Sequence, residues 1–177
     1  MFINKLLILL MVFVTSLVLA LPEDAKQPIE IEAESVIVDE NTGFNEFSGN
    51  VEVKQGSLLL YGELIQVQTE NEEVVSMVAK GSREKPAKYI QSQENQARFV
   101  EATATQITYD VDKGMVFLVG QARLVQGFDS FSGDTLDYDI NNDRVILKGN
   151  KYGTERVKFK IAPVSYTHLT LPTNREV

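Results

Sequence analysis

From Ile29 onward the chain alternates apolar and polar positions. Ile29, Ile31 and Ala33 fall on one side of an extended backbone, with Glu30, Glu32 and Glu34 on the other. The same two-residue period returns at Phe47, Gly49, Val51 and Val53, and at Ile107, Tyr109 and Val111. It recurs at Leu118, Ala122 and Leu124, at Leu136, Tyr138 and Ile140, and at Val157, Phe159 and Ile161. Successive side chains of a strand point to opposite faces, so this is the signature of strands with one face buried. Turn formers separate the runs: Glu40-Asn41-Thr42-Gly43, Asp112-Lys113-Gly114 and Ile140-Asn141-Asn142-Asp143. No window after residue 21 carries the i, i+3, i+4, i+7 spacing of an amphipathic helix. The pattern predicts an all-β chain of short antiparallel strands. It is least clear over 66–96, where charges and Pro86 interrupt the alternation.

The pattern also repeats on a longer scale. Phe47-Ser48-Gly49-Asn50-Val51-Glu52-Val53-Lys54-Gln55-Gly56 is answered 71 positions later by Leu118-Val119-Gly120-Gln121-Ala122-Arg123-Leu124-Val125-Gln126-Gly127. The register holds without a gap from Val36 and Val38, which fall on Ile107 and Tyr109, to Gly62 and Val67, which fall on Gly133 and Tyr138. A shorter echo relates Ile107-Thr108-Tyr109-Asp110-Val111 to Leu136-Asp137-Tyr138-Asp139-Ile140. One supersecondary unit has been stacked, and such units bury their apolar faces against their neighbours. Gly49, Gly62, Gly120, Gly133 and Gly149 recur at matched places within strand patterns. Glycine weakens a strand unless the backbone must bend, so these positions predict a bend at one point of each unit that folds the sheet over itself.

Two segments stand outside the pattern. Residues 1–20 read as a secretory signal: Lys5, an apolar run from Leu6 to Leu19 softened by Thr15 and Ser16, and Ala20 at the cleavage position. That run is shorter than the roughly 20 apolar residues of a spanning helix. The alternative is an uncleaved anchor, and both place the folded part outside the cytoplasm. Residues 164–177 match none of the repeats and resemble translated adapter sequence, so they are read as a non-native tail. The domain is therefore expected to span 21–163.

Charge and residue types then narrow the chemistry. Without Lys5, 16 basic residues face 25 acidic ones, a net charge of −9. This sign opposes a nucleic-acid partner. The chain has no cysteine, so a core rather than disulfides must hold it, and 44% hydrophobic residues supply one. Its single histidine, His168, lies in the tail. Cys–His and Ser–His–Asp nucleophilic systems and thiolate or imidazole metal sites are thereby removed. No glycine-rich phosphate loop is present and there is no tryptophan to make a sugar platform. Asp137, Asp139, Asn141 and Asp143 imitate the start of a calcium loop, but Asn142 stands where glycine is needed and Lys148 where glutamate is needed. A strand entering a hairpin accounts better for those residues. A non-enzymatic protein without a metal or cofactor is expected.

The residues resemble the OstA/LptA family. Gln27-Pro28-Ile29-Glu30-Ile31-Glu32-Ala33 is similar to that family's opening strand, and Phe47 to Gly56 looks like its F-x-G-N-V-x-V-x-Q-G segment. Lys85-Pro86-Ala87, Tyr89 and Leu118-Val119-Gly120-Gln121-Ala122 continue the likeness over roughly 27–163. The resemblance implies a twisted β-jellyroll of antiparallel strands, open at both ends. It implies a periplasmic carrier that binds lipopolysaccharide between its sheets, stacks end to end, and bridges LptC-like and LptD-like proteins. It places Tyr89 and Leu118 on the inner face. Alternation points Ile29 and Ile31 one way, so Ile29, Ile31, Tyr89 and Leu118 are the candidate lipid-lining residues. Lys80, Arg83, Lys85 and Lys88 are the candidates for a local basic site. An LptC-like anchored coupling protein and a structural filament filled by its own side chains are the competing readings.

Overall fold

The computed structural model describes residue 24 and residues 27–93, 98–149 and 157–161. The predicted signal, residues 1–20, and the tail, residues 164–177, lie outside the described residues.

The first half of the chain forms β1 (Ile29–Glu32), β2 (Ser35–Asp39), β3 (Phe44–Gln55), β4 (Leu58–Glu70), β5 (Glu73–Lys80) and β6 (Ala87–Gln93). The second half forms β7 (Arg98–Ala104), β8 (Gln106–Asp110), β9 (Met115–Gln126), β10 (Asp129–Asp139), β11 (Arg144–Lys148) and β12 (Lys158–Lys160). All pairings are antiparallel and form one hydrogen-bonded network. The indistinct stretch over 66–96 resolves into the end of β4, then β5 and β6. Its charged residues Glu70 and Glu72–Glu73 sit at the β4–β5 turn, and Arg83 and Glu84 sit in the crossing to β6.

Four long strands hold the key to the architecture. β3 pairs with β2 along Phe44–Ser48 and with β1 along Glu52–Gln55. β4 pairs with β6 near its start and with β5 beyond Leu64. β9 pairs with β8 along Met115–Val119 and with β7 along Arg123–Gln126, and β10 divides its pairings between β12 and β11. The sheet is thus folded into two layers. One has the order β2-β3-β4-β5-β8-β9-β10-β11, the other β1-β3-β4-β6-β7-β9-β10-β12, and β3, β4, β9 and β10 run through both.

The fold line coincides with the predicted glycines. The β3–β4 register shifts between Ser48 and Val51, and the β9–β10 register shifts between Gly133 and Thr135. Gly49 and Gly120 take φ of +84° and +80°, a region that glycine enters without steric cost. A side chain at Gly120 would meet Thr105 Oγ1 at 2.1 Å, in the gap between β7 and β8. The Thr105 N–H donates to the Gly120 carbonyl at 2.9 Å, and the Glu34 N–H donates to the Gly49 carbonyl at 3.3 Å. Glu34 and Thr105 are themselves one repeat apart, so each short strand breaks where each long strand bends. Across the bend the buried side of β4 switches from Leu58 and Leu60 to Ile65 and Val67. Each layer therefore presents its apolar face to the other. Gly149 falls after β11, outside any strand.

Candidate functional site

The space between the layers is apolar and continuous through both halves of the molecule. Val51, Leu60, Tyr89, Ala102 and Leu124 come from one layer, and Ile65, Met77, Ile107, Leu118 and Leu136 from the other. All are at most 1% exposed. The Tyr89 and Tyr109 rings meet edge to face across the layers, centroids 6.0 Å apart. Burial pushes the Tyr89 hydroxyl well up, with Tyr109, Tyr138 and Asp24 adding to it. Tyr109 is pushed up to about 12, first by burial and then by the Asp24 carboxylate. These hydroxyls stay neutral and the interior carries no charge of theirs.

The four residues singled out by sequence share this interior at different depths. Tyr89 on β6 and Leu118 on β9 are fully enclosed. Ile29 and Ile31 lie on β1 opposite Gln55 and Val53, half-buried and packed against the same core. Glu30 and Glu32 face solvent between them. Tyr89, Ile29 and Ile31 belong to one layer and Leu118 to the other, so they line a long interior and do not converge on a point. Opposite the bend, the layers meet at a seam of polar contacts. Gln126 Nε2, at the tip of one layer, donates to Asp143 Oδ1 in the β10–β11 turn of the other at 2.5 Å, and Tyr138 Oη donates to the same oxygen at 3.3 Å. Within one layer, Tyr89 Oη hydrogen-bonds to Gln91 Oε1 at 2.5 Å, and Gln91 Nε2 donates to Asp24 Oδ2 at 2.8 Å, the carboxylate that also holds Ser57.

The residues of the imitation calcium loop go separate ways. Asp137 lies 3.9 Å from Lys148 Nζ, Asp139 accepts from Asn142, and Asp143 belongs to the seam. Among the basic candidates, Lys85 Nζ hydrogen-bonds to Asn50 Oδ1 and Lys88 Nζ pairs with Glu101 at 3.1 Å. A shallow pocket of about 150 Å³ beside Lys85 and Pro86 lies on the outer side of the bend, away from the interior.

At each end of the layers the last strands have one paired side. β1 and β2 pair with β3 alone, and β11 and β12 with β10 alone, among the described residues. Val36, Ile37 and Val38 on β2 are 53%, 62% and 57% exposed, and Phe159 on β12 is 56% exposed. Alternation marked strands at Ile29–Ala33 and at Val157–Ile161 but not that each end carries two edge strands, because the fold-over that splits β1 from β2 is a backbone event at Glu34.

The family model for the LptA/LptD N-terminal domain lipopolysaccharide transport proteins matches residues 30–144, from β1 to the start of β11. The chain belongs to this family. It is 30% identical over 141 residues to the lipopolysaccharide export system protein LptH of Pseudomonas aeruginosa, covering 80% of this chain and 79% of that one. It is 32% identical over 126 residues to the lipopolysaccharide export system protein LptA of Escherichia coli K12, covering 71% and 67%. The crystal structure of Pseudomonas aeruginosa LptH, described as the LptA-homologous periplasmic component of the lipopolysaccharide transport device, superposes with a TM-score of 0.72 at 27% identity. The match covers 80% of this chain and all of that one.

Proposed function

We propose that this protein is a periplasmic carrier that binds lipopolysaccharide by its acyl chains and passes it along stacked copies between the inner and outer membranes. The observation that carries this reading is the apolar interior, which runs unbroken from the β1/β2 end to the β11/β12 end. Acyl chains cannot cross water unshielded, since each methylene removed from it contributes about 0.8 kcal/mol. An interior made of two facing sheets can enclose chains of any length along its axis, while sugars and phosphates stay outside in solvent.

Ile29, Ile31, Tyr89 and Leu118 line the path in this reading. The interior is filled by these and neighbouring side chains, so the layers part along the seam opposite the bend when lipid enters. The Gln126–Asp143 contact is the cross-layer hydrogen bond that must open. Unpaired edge strands accept further strands by main-chain hydrogen bonding. The protein would thus dock an LptC-like sheet at one end, an LptD-like sheet at the other, and itself in between. Head-to-tail addition gives open chains and not closed rings. With no phosphate-binding loop in the sequence, the carrier is passive and partners drive it. The filled interior equally suits a structural filament without cargo. Native mass spectrometry separates the two. The carrier takes up acylated lipid A but not the deacylated core saccharide, whereas the filament takes up neither.

A further inference from the structure

The molecule contains one sheet-to-sheet joint already, and we infer that this internal joint fixes the register and the charge pairing by which one copy docks on the next. The inference rests on the end-to-end reading above and adds the contacts.

The two halves are copies of one six-stranded unit. Ile31↔Val53 in the first is matched by Ala102↔Leu124 in the second, and Val36↔Phe47 by Ile107↔Leu118, each 71 residues on. Leu60↔Tyr89 is matched by Phe131↔Phe159, and Ile65↔Ala79 by Leu136↔Leu147. So β12 stands for β6 and β11 for β5, while β1 and β2 stand for β7 and β8. Inside the molecule the halves join by β5 on β8 and β6 on β7. The same operation applied once more lays β11 on β2 of the next copy and β12 on β1.

The registers transfer with it. Ala79↔Ile107 becomes Leu147 opposite Val36 of the next copy, and Met77↔Tyr109 becomes Val145 opposite Val38. Tyr89↔Ala102 becomes Phe159 opposite Ile31. At the internal joint these residues are at most 1% exposed, whereas Val36, Val38 and Phe159 are more than half exposed. They are core residues whose other side is absent.

The charges fit as well. Ile90↔Glu101 becomes Lys160 opposite Glu30, and Lys88↔Thr103 becomes Lys158 opposite Glu32. The Lys88–Glu101 ion pair of the internal joint translates onto Lys158 and Glu30. Ser76↔Asp110 becomes Arg144 opposite Asp39. Hydrogen bonds from the Thr42 side chain and the Asn41 and Thr42 amides hold the Asp39 carboxyl below its usual range, so it meets Arg144 ionised. A register slip of one residue would set Lys160 against Ile31 and Phe159 against Glu32. The slip is penalised on both counts. The acidic β1 edge and the basic β12 edge also make self-stacking polar, head to tail only.

Charge exchange tests this. One variant carries Lys158→Glu with Lys160→Glu, the other Glu30→Lys with Glu32→Lys, all four being exposed positions. Each variant alone should associate roughly tenfold more weakly than the unaltered protein or worse, and a one-to-one mixture should recover association. A cysteine-free chain also permits a register test: Lys160→Cys should form an intermolecular disulfide with Glu30→Cys faster than with Glu32→Cys. Variants that associate normally when alone, or a preference for the 32–160 disulfide, overturn the inferred joint while leaving stacking intact. An unaltered protein that stays monomeric at every concentration overturns both.

Discussion

Tyr109 shows how a single residue reports on the dryness of the interior. Its hydroxyl is raised to about 12 from an ordinary 10, because burial disfavours the phenolate and the Asp24 charge adds repulsion. The folded state therefore holds the proton more tightly than the unfolded chain. Its contribution is complete below pH 10 and is lost as pH climbs from 10 to 12, amounting to about 2–3 kcal/mol. Tyr89, shifted in the same direction by deeper burial, adds to the loss. Denaturant unfolding at pH 9 and pH 11 should show this fall, and Tyr109→Phe should reduce it. An unfolding free energy unchanged between those pH values would mean that water reaches the interior. The inward direction of Tyr109, Leu118 and Tyr138 was legible in the alternation. Which of them meet across the layers was not, because that depends on where the backbone folds.

At the scale of elements, β3 and β9 were read correctly from Phe47–Val53 and Leu118–Leu124, and the repeated glycines pointed to the bend. The switch of the buried side within β4 and β10 escaped the reading. Alternation assumes an uninterrupted pleat, whereas at the bend three residue steps of β9, from Val119 to Ala122, face two of β10, from Gly133 to Thr135. The extra residue keeps β9 in phase while β10 changes side. The short strands β2 and β5 carry their apolar residues in runs, Val36-Ile37-Val38 and Val74-Val75, which blur a two-residue period. For β2 the run has a reason: Val36 and Val38 face inward while Ile37, opposite Glu46, lies on the outer face of an edge strand. Edge strands decide assembly, so the residues after β12 matter. Pro163 has no amide hydrogen to give a neighbouring strand, and residues 164–177 follow it directly. Deleting 164–177 should lengthen the oligomers seen by light scattering across a dilution series. Shorter oligomers after the deletion would assign the tail a part in the joint.

The whole molecule is an acidic shell around an apolar axis. Its net charge, −8 for the full sequence and −9 for residues 21–177, repels an anionic head group at long range, so binding must come from the acyl chains. Affinity for lipopolysaccharide should stay flat or rise as salt is added. A steep fall would shift the weight to a basic site, with Lys80, Arg83, Lys85 and Lys88 as its components. The two-layer architecture followed from the repeat, because stacked units bury their faces against one another. The extent to which the layers part was beyond the sequence, since alternation specifies which side is apolar and not how far apart two such sides stand. Site-specific photo-crosslinking along β1 reads out whether lipid runs between the layers. Ile29 and Ile31 turn toward the interior and Glu30 and Glu32 toward solvent, within four consecutive residues of one strand. A photoreactive side chain at Ile29 or Ile31 should capture lipopolysaccharide, and one at Glu30 or Glu32 should not. Equal labelling of all four positions, or labelling at the glutamates alone, would contradict the account.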